Sequence, residues 1–287
     1  MKLLPFSSFL LLGLPAASFA ATIASYDAVT DSPYTFEFFG DATQGGPPTV
    51  ELDEGNPGNY LRLTNNVNGQ SGWATFDQTD PGTFQRIVFS FDFRFDLQNN
   101  GGADGLSFSF YNTDVYGTTG GVGSQLYAPE DPNRVGVLGF GFDTWGNGGV
   151  DYVDNTVVPP REFGADYSEI SLFSNGSPVA RINDTRTLTE GAFNLKDGAW
   201  HTATGVVDFS AKTVSLNVDT TPIFVNRAVS NLVPFSSRVG FAGRTGGANE
   251  RTSIDNVNVQ YGVIPEPASL SMAGLGGILL LRHRRRT

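Results

Sequence analysis

The stretch RIVFSFDFRFDL, residues 86–97, places phenylalanine at every second position: Phe89, Phe91, Phe93 and Phe95, with Ser90, Asp92 and Arg94 between them. A period of two is the mark of an extended strand with one buried face, because a helix returns to the same side only every three or four residues. The device recurs in DGLSFSFYN, through Leu106, Phe108 and Phe110, and in VLGFGFDTW, through Leu138, Phe140 and Phe142. Three such ladders predict a thick aromatic core between two sheets. Further strands are expected at Tyr60–Thr64, Gly72–Phe76, Ser168–Phe173, Trp200–Phe209, Thr213–Val218, Arg238–Ala242 and Thr252–Tyr261, with Asp208–Lys212 as a hairpin connection and Trp200 in the core. There is no helix-period segment of useful length, no internal repeat and no Pro/Ser linker between them. Short alternating runs separated by Gly, Pro, Asn and Asp clusters predict one all-β domain, an antiparallel sandwich or barrel.

The two ends read as processing signals. Residues 1–20 carry Lys2, then the apolar run FLLLGLPAASFA ending in small residues, the pattern of a secretory signal peptide cleaved after Ala20. The other end, VIPEPASLSMAGLGGILLLRHRRRT, has Pro265-Glu266-Pro267, an apolar stretch from Ala268 to Leu281, and then Arg282, Arg284, Arg285 and Arg286. A short apolar stretch with basic residues beyond it fits a stop in the inner membrane with its positive side inward. In that order the three parts resemble the PEP-CTERM sorting signal of Gram-negative bacteria. The resemblance implies transient contact of residues 264–287 with the inner membrane, recognition by exosortase-type machinery, and delivery of the body, residues 21–263, to the cell envelope, the surface or an exopolysaccharide matrix. A retained membrane anchor is the alternative, and either places the body outside the cytoplasm.

The chain has a formal net charge of −11, and the body is more acidic still, since Lys2 and the four tail arginines belong to the ends. An acidic, lysine-poor surface argues against nucleic acid and anionic lipid as partners, and suits neutral ligands or cations. The absence of cysteine excludes thiol and zinc-thiolate chemistry and leaves stability to the packed core.

Three polar loops interrupt the strands, at Gln98–Ala103, Asn112–Asn133 and Asn147–Ala165, and long loops in compact domains are usually functional. The last follows GFGFDTWGNGGVD, residues 139–151, whose first half alternates as a strand and whose second half carries Asp143, Asn147 and Asp151. Gly146, Gly148 and Gly149 allow a turn tight enough to aim these oxygens at one centre. Asp151 or Asp154 could add a second carboxylate, and a backbone carbonyl near Trp145 a further ligand. Oxygen-only donors on a flexible loop suit Ca2+ over a transition metal. Asp/Asn/Gly loops also form ordinary turns, and on these residues alone both readings stand.

GGADGLSFSFYN, followed some thirty residues on by VGVLGFGFDTWGN, resembles the L-type (legume-type) lectins. AWHTATGVVDFSAKTVSLNVD resembles their later hairpin, RVGFAGRTGGANERTSIDNVNV resembles their Val-Gly-Phe loop and closing strand, and GDATQGG to SGWATFD resembles their early strands more loosely. The likeness runs through most of the body, in order. It implies a concanavalin A-like antiparallel β-sandwich (jelly roll) that binds a glycan or exopolysaccharide. Asp143 and Asn147 match the family's calcium Asp and Asn, Trp145 the aromatic whose carbonyl binds calcium and whose ring stacks on sugar, and Asp151 is taken as the second carboxylate, with Asp154 its rival. Asp104 matches the carboxylate that accepts from sugar hydroxyls, and Ala103–Asp104 the family's cis peptide. Gly121 or Gly123 would give a backbone contact, and the loop Arg244–Asn249, with Gly246 in it, would set selectivity. A carboxylate, an amide and an aromatic plate on rigid strand ends are what a sugar site needs.

The sequence departs from the legume pattern where the glutamate two residues before the calcium Asp is Gly141 and no histidine follows in the loop. One Ca2+ and no transition-metal site are therefore expected. Glucanases on this sandwich use Glu-x-Asp-x-x-Glu on one strand, and aligned on Asp143 both positions are glycine, Gly141 and Gly146. Glu162, Asp166 and Glu169 read as a solvated acidic loop, and His201, the only histidine of the body, as an ordinary strand residue without a nucleophile elbow. The expectation is a lectin-like protein that is not an enzyme. Its alternatives are a matrix protein with the sandwich but no working sugar site, or a divergent glycoside hydrolase.

Overall fold

The computed structural model describes residues 19–22, 37–39, 50–55, 58–96, 102–122, 129–146, 168–183 and 195–262. The signal segment before Phe19, the tail from Val263, and Gly123, Asn147, Asp151, Asp154, Glu162 and Asp166 lie outside the described residues.

The chain forms two antiparallel sheets. The first, of eight strands, runs in the order β13 (Thr221–Ala228), β12 (Thr213–Val218), β11 (His201–Asp208), β6 (Arg86–Asp96), β15 (Arg251–Gly262), β4 (Gly58–Thr64) and β3 (Val50–Gly55), with β1 (Phe19–Thr22) also paired to β15. The second, of seven strands, runs β10 (Ser177–Asn183), β9 (Glu169–Ser174), β8 (Val137–Asp143), β7 (Gly105–Asn112), β14 (Ser237–Arg244), β5 (Ser71–Thr75) and β2 (Glu37–Phe39). The described helix is a single turn, α1 (Thr113–Tyr116), capped where Asn112 accepts from the Asp114 backbone N–H at 2.9 Å. This is the all-β sandwich expected from the phenylalanine ladders.

Those ladders meet across the two sheets. Phe89, Phe91 and Phe93 of β6 place their rings against Phe108 of β7, Phe140 and Phe142 of β8 and Phe241 of β14, with centroids 4.9–6.0 Å apart in tilted and edge-on pairs. All seven rings are buried, and the edge-on and tilted arrangements suit the aromatic quadrupole. The expected strands all form, and the Asp208 turn closes the β11–β12 hairpin, its carboxylate accepting from Ser210 and from the Ala211 backbone.

Strands β1, β2 and β3 were not among those expected, and neither were β10 and β13. The last two are outer edges, and each has proline at its second position, Pro178 and Pro222, where a missing N–H costs an edge nothing. β1 spans the expected cleavage point at Ala20, with Thr22 opposite Gln260.

The register gives the sandwich two distinct ends. At one, β7, β8 and β14 reach Gly105, Asp143 and Arg244, which lie side by side. At the other, Asn112, Ser237, Tyr261 and Gly262 come together, with the Ser237 and Tyr261 hydroxyls 3.3 Å apart.

Candidate functional site

Asp104 stands where β7 begins, and the backbone holds it from both sides. Its N–H donates to the Arg244 carbonyl of β14 and its own carbonyl accepts from Thr144 beyond β8, each at 2.9 Å. The Ala103–Asp104 peptide is cis, as the lectin resemblance implied. Gly105, at φ +136°, follows; a Cβ there would lie 2.1 Å from the Phe142 carbonyl oxygen, so only glycine lets β7 start this close to β8.

The Asp104 carboxylate lies 3.1 Å from Nε of Arg244. Arg244 in turn makes a two-pronged bond to Glu130, from Nε at 3.1 Å and from the terminal nitrogen as a shorter contact. A Cβ on Gly246 would meet the two Asp104 oxygens at 2.9 and 3.2 Å, so the expected selectivity loop does pass directly over the expected sugar carboxylate. Glu130 is 1% exposed, and burial pushes its carboxyl up to about 8, against the pull of Arg244.

The end of β8 brings a second group. Asp143 is buried, and its Oδ1 accepts from the Trp145 N–H at 2.8 Å, an Asx turn that starts the loop; Trp145 itself is half-buried. Thr144 donates its hydroxyl to Glu250 at 2.6 Å, and its carbonyl accepts from Lys196 at 2.9 Å. Glu250 is fully buried, its Oε2 has no hydrogen-bond partner among the described residues, and burial pushes its carboxyl up to about 8 despite Thr144 and Lys196. Glu130 and Glu250 were missed from sequence, and Arg244, expected as the first residue of the selectivity loop, is also the cation beside Asp104. Glu169, expected in a solvated loop, is instead buried on β9 directly opposite Asp143.

Asp104, Asp143, Trp145 and Gly246 are thus brought to one end of the second sheet, while Asn147 and Asp151 lie outside the described residues. Gly121 does not join them. Its neighbour Gly120 accepts from Arg238, near the opposite end of β14, about 20 Å along the strand from Arg244. Among the described residues no group of three or more His, Cys, Asp or Glu side chains is placed to hold a metal. The donors expected for calcium are all oxygens, and the buried Asp143 carboxylate at the mouth of this loop fits that chemistry.

Gly141 has a steric reason to be glycine. A Cβ there would lie 2.4 Å from the Glu130 carbonyl oxygen and 2.5 Å from Ser171 Oγ, and one at Gly139 would meet the Pro132 ring at 2.6 Å. The segment 129–132 therefore lies against the outer face of β7 and β8, tied by Ser107 Oγ to the Pro129 carbonyl at 2.5 Å. A catalytic glutamate cannot stand where that segment packs.

One aromatic expectation changes, that for Trp200, while His201 is a strand residue as expected, at the start of β11. Trp200 is outside the core cluster and half-buried: its ring covers the Arg94 guanidinium at 4.7 Å, and the Tyr60 ring faces the same cation at 5.2 Å. Arg94 points away from the phenylalanine face of β6, and Trp200 follows it. His201 packs on Phe93 and sits between Asp219, 2.8 Å from Nδ1, and Asp197, 3.2 Å from Nε2, clasping the segment before β11 to the β12–β13 turn.

No protein-family model and no curated protein matches the chain. Solved structures do. Peanut lectin with a nine-residue peptide superposes with a TM-score of 0.52 at 17% identity, over 85% of this chain and all of that one. Lectin UEA-II complexed with galactose gives a TM-score of 0.55 at 14% identity, over 87% of this chain and all of that one. The fold is that of the legume-type lectins. The exoplasmic/lumenal domain of VIP36, in a Ca2+- and mannose-bound form, shares the legume-lectin fold with a TM-score of 0.52 at 16% identity, over 83% of this chain and 87% of that one.

Proposed function

We propose that the chain is an exported carbohydrate-binding protein of the bacterial envelope or exopolysaccharide, which binds glycan at the Asp104 end of the sandwich and does not cleave it. The observation that carries this reading is the convergence, at the ends of β7, β8 and β14, of a buried carboxylate (Asp104), a half-buried indole (Trp145) and a glycine loop over the carboxylate (Gly246). Asp104 accepts from sugar hydroxyls, Trp145 offers a flat apolar face, and Gly246 leaves room above the carboxylate. That UEA-II was solved with galactose and VIP36 with Ca2+ and mannose supports the same chemistry here.

The residues that would hold one Ca2+ are Asp143, the Trp145 carbonyl, Asn147 and Asp151. When bound, the cation would fix the loop and add positive charge beside the carboxylates of Asp143 and Asp104, the latter already facing Arg244. Asn147 would spend its oxygen on the metal and its amide hydrogens on a sugar hydroxyl. Packing of 129–132 on Gly141 supports binding without hydrolysis. Export by the signal segment, and delivery through exosortase-type machinery acting on 264–287, complete the reading.

A glycan array probed with the folded protein, once in Ca2+ and once in chelator, tests it. Binding to a related set of glycans that weakens in chelator is expected; no glycan bound in Ca2+ overturns it. Ca2+ should also raise the melting temperature, since a ion held only by the folded state stabilises it.

A further inference from the structure

The end of the sandwich opposite Asp104 has three exposed valines close together. Val115 is 55% exposed, Val135 67% and Val233 60%. Val115 and Val135 line a groove of about 500 Å3 with Tyr116, Val122 and Arg134. Val233 lines an adjoining hollow of about 240 Å3 with Asn112 and Gly136. The two share a wall, since a Cβ on Gly136 would lie 3.0 Å from a Val115 methyl. Isolated surface valines are unremarkable, but a cluster at one pole of an acidic domain asks for a partner.

The same pole is where the chain leaves the sandwich. β15 ends at Gly262; Tyr261 touches Ser237 at 3.3 Å, and the adjacent Ser236 carbonyl accepts from Thr113 at 2.9 Å, two residues from Val115. Beyond Gly262 come only Val263–Pro267 before the apolar stretch Ala268–Leu281. Five extended residues reach at most about 17 Å. The twelve residues of β15 alone run about 35 Å. The tether is therefore shorter than the domain it holds.

We propose that the Gly262 pole is a membrane-docking face: while the tail is held in the bilayer, Val115, Val135 and Val233 rest in its outer surface and the Asp104 pole points away, toward glycan. This rests on the reading of residues 264–287 as a membrane-held segment and is independent of whether Asp104 binds sugar. The partner is a lipid surface of zwitterionic headgroups, because the net charge of −11 opposes anionic ones.

The chain has no cysteine, so single-cysteine variants of the full-length protein carry one probe each. Val135→Cys and Val233→Cys report the docking face, Val67→Cys, 51% exposed beside the Gly246 loop, reports the opposite pole, and Leu275→Cys reports the tail. Each is labelled with an environment-sensitive fluorophore and reconstituted in phosphatidylcholine vesicles with and without spin-labelled quencher lipid; a melting scan checks folding, and two docking variants guard against loss of one. Quenching at positions 275, 135 and 233, with emission at 135 and 233 falling roughly twofold or more as expected for groups seated in the headgroup region, and none at 67, is the predicted result. Quenching at 275 alone, or equal quenching at 135 and 67, overturns the docking face while leaving the tail reading intact. No quenching at 275 overturns both. A shift at 135 that grows with protein concentration and ignores quencher lipid assigns the face to a second copy and overturns the proposal as well.

Discussion

Replacing Gly141 with alanine places a methyl group where the structure has no room. The new carbon would lie 2.4 Å from the Glu130 carbonyl oxygen and 2.5 Å from Ser171 Oγ. Ser171 can rotate away. The carbonyl cannot, because segment 129–132 is pinned by the Ser107–Pro129 hydrogen bond and by Arg244 on Glu130. Relief requires the segment to lift from β8, and overpacking of this kind costs about 1–3 kcal/mol, here toward the upper end. For a domain of this size each kcal/mol lowers the melting temperature by about 2–4 °C, so Gly141→Ala should melt about 6–12 °C below wild type. Gly247→Ala is the matched control: among the described residues nothing lies within 4 Å of a Cβ there, and its melting point should stay within about 2 °C. Thermal unfolding followed by circular dichroism measures both. A Gly141→Ala protein as stable as the Gly247→Ala protein would refute the packing of 129–132 on β8, and with it the steric reason for the missing glutamate.

Two further outcomes follow from the core and from burial of charge. Phe91→Ala removes a ring packed at 4.9–6.0 Å against Phe108, Phe142 and Phe241, and should cost about 3–5 kcal/mol in urea unfolding; a loss under about 1 kcal/mol would contradict a tight inter-sheet core. Glu250 is raised from 4.5 to about 8 in the folded protein. Between those values the folded state keeps a proton that the unfolded state releases, so its contribution to stability is present at low pH and fades as pH rises toward 8. Glu250→Gln should therefore melt near wild type at pH 5 and above it at pH 8, and equal melting points at pH 8 would show that Glu250 is not held as buried acid.

The phenylalanine ladders were legible because β6, β7 and β8 are central strands whose inner faces must alternate. The edges were harder. β13 buries only the consecutive Ile223 and Phe224, and β10 lies at the other sheet's rim, so neither shows a period of two. Asn175-Gly176, with φ +51° and +81°, was nonetheless a readable hairpin signal between β9 and β10. At the site, Asp143 could be picked out as an oxygen donor in a Gly/Asn/Asp loop, and Asp104 through the lectin resemblance of GGADGLSFSFYN. Glu130 and Glu250 could not: they reach Arg244 and Thr144 from distant parts of the chain, which local patterning does not encode. Trp200 went astray for a related reason, since a tryptophan beside a strand can serve either face, and Arg94 on the outer one decided it.

Under the proposed function, Asp104 accepts hydrogen bonds from a sugar. Calorimetric titration of the strongest array ligand into wild type and Asp104→Asn, with melting points to confirm equal folding, tests it most directly. Hydrogen bonds to a charged acceptor contribute about 1.5–3 kcal/mol, so affinity should fall at least about tenfold in the variant while the fold persists. Affinity within about twofold of wild type, in a variant that melts as wild type does, would contradict the site.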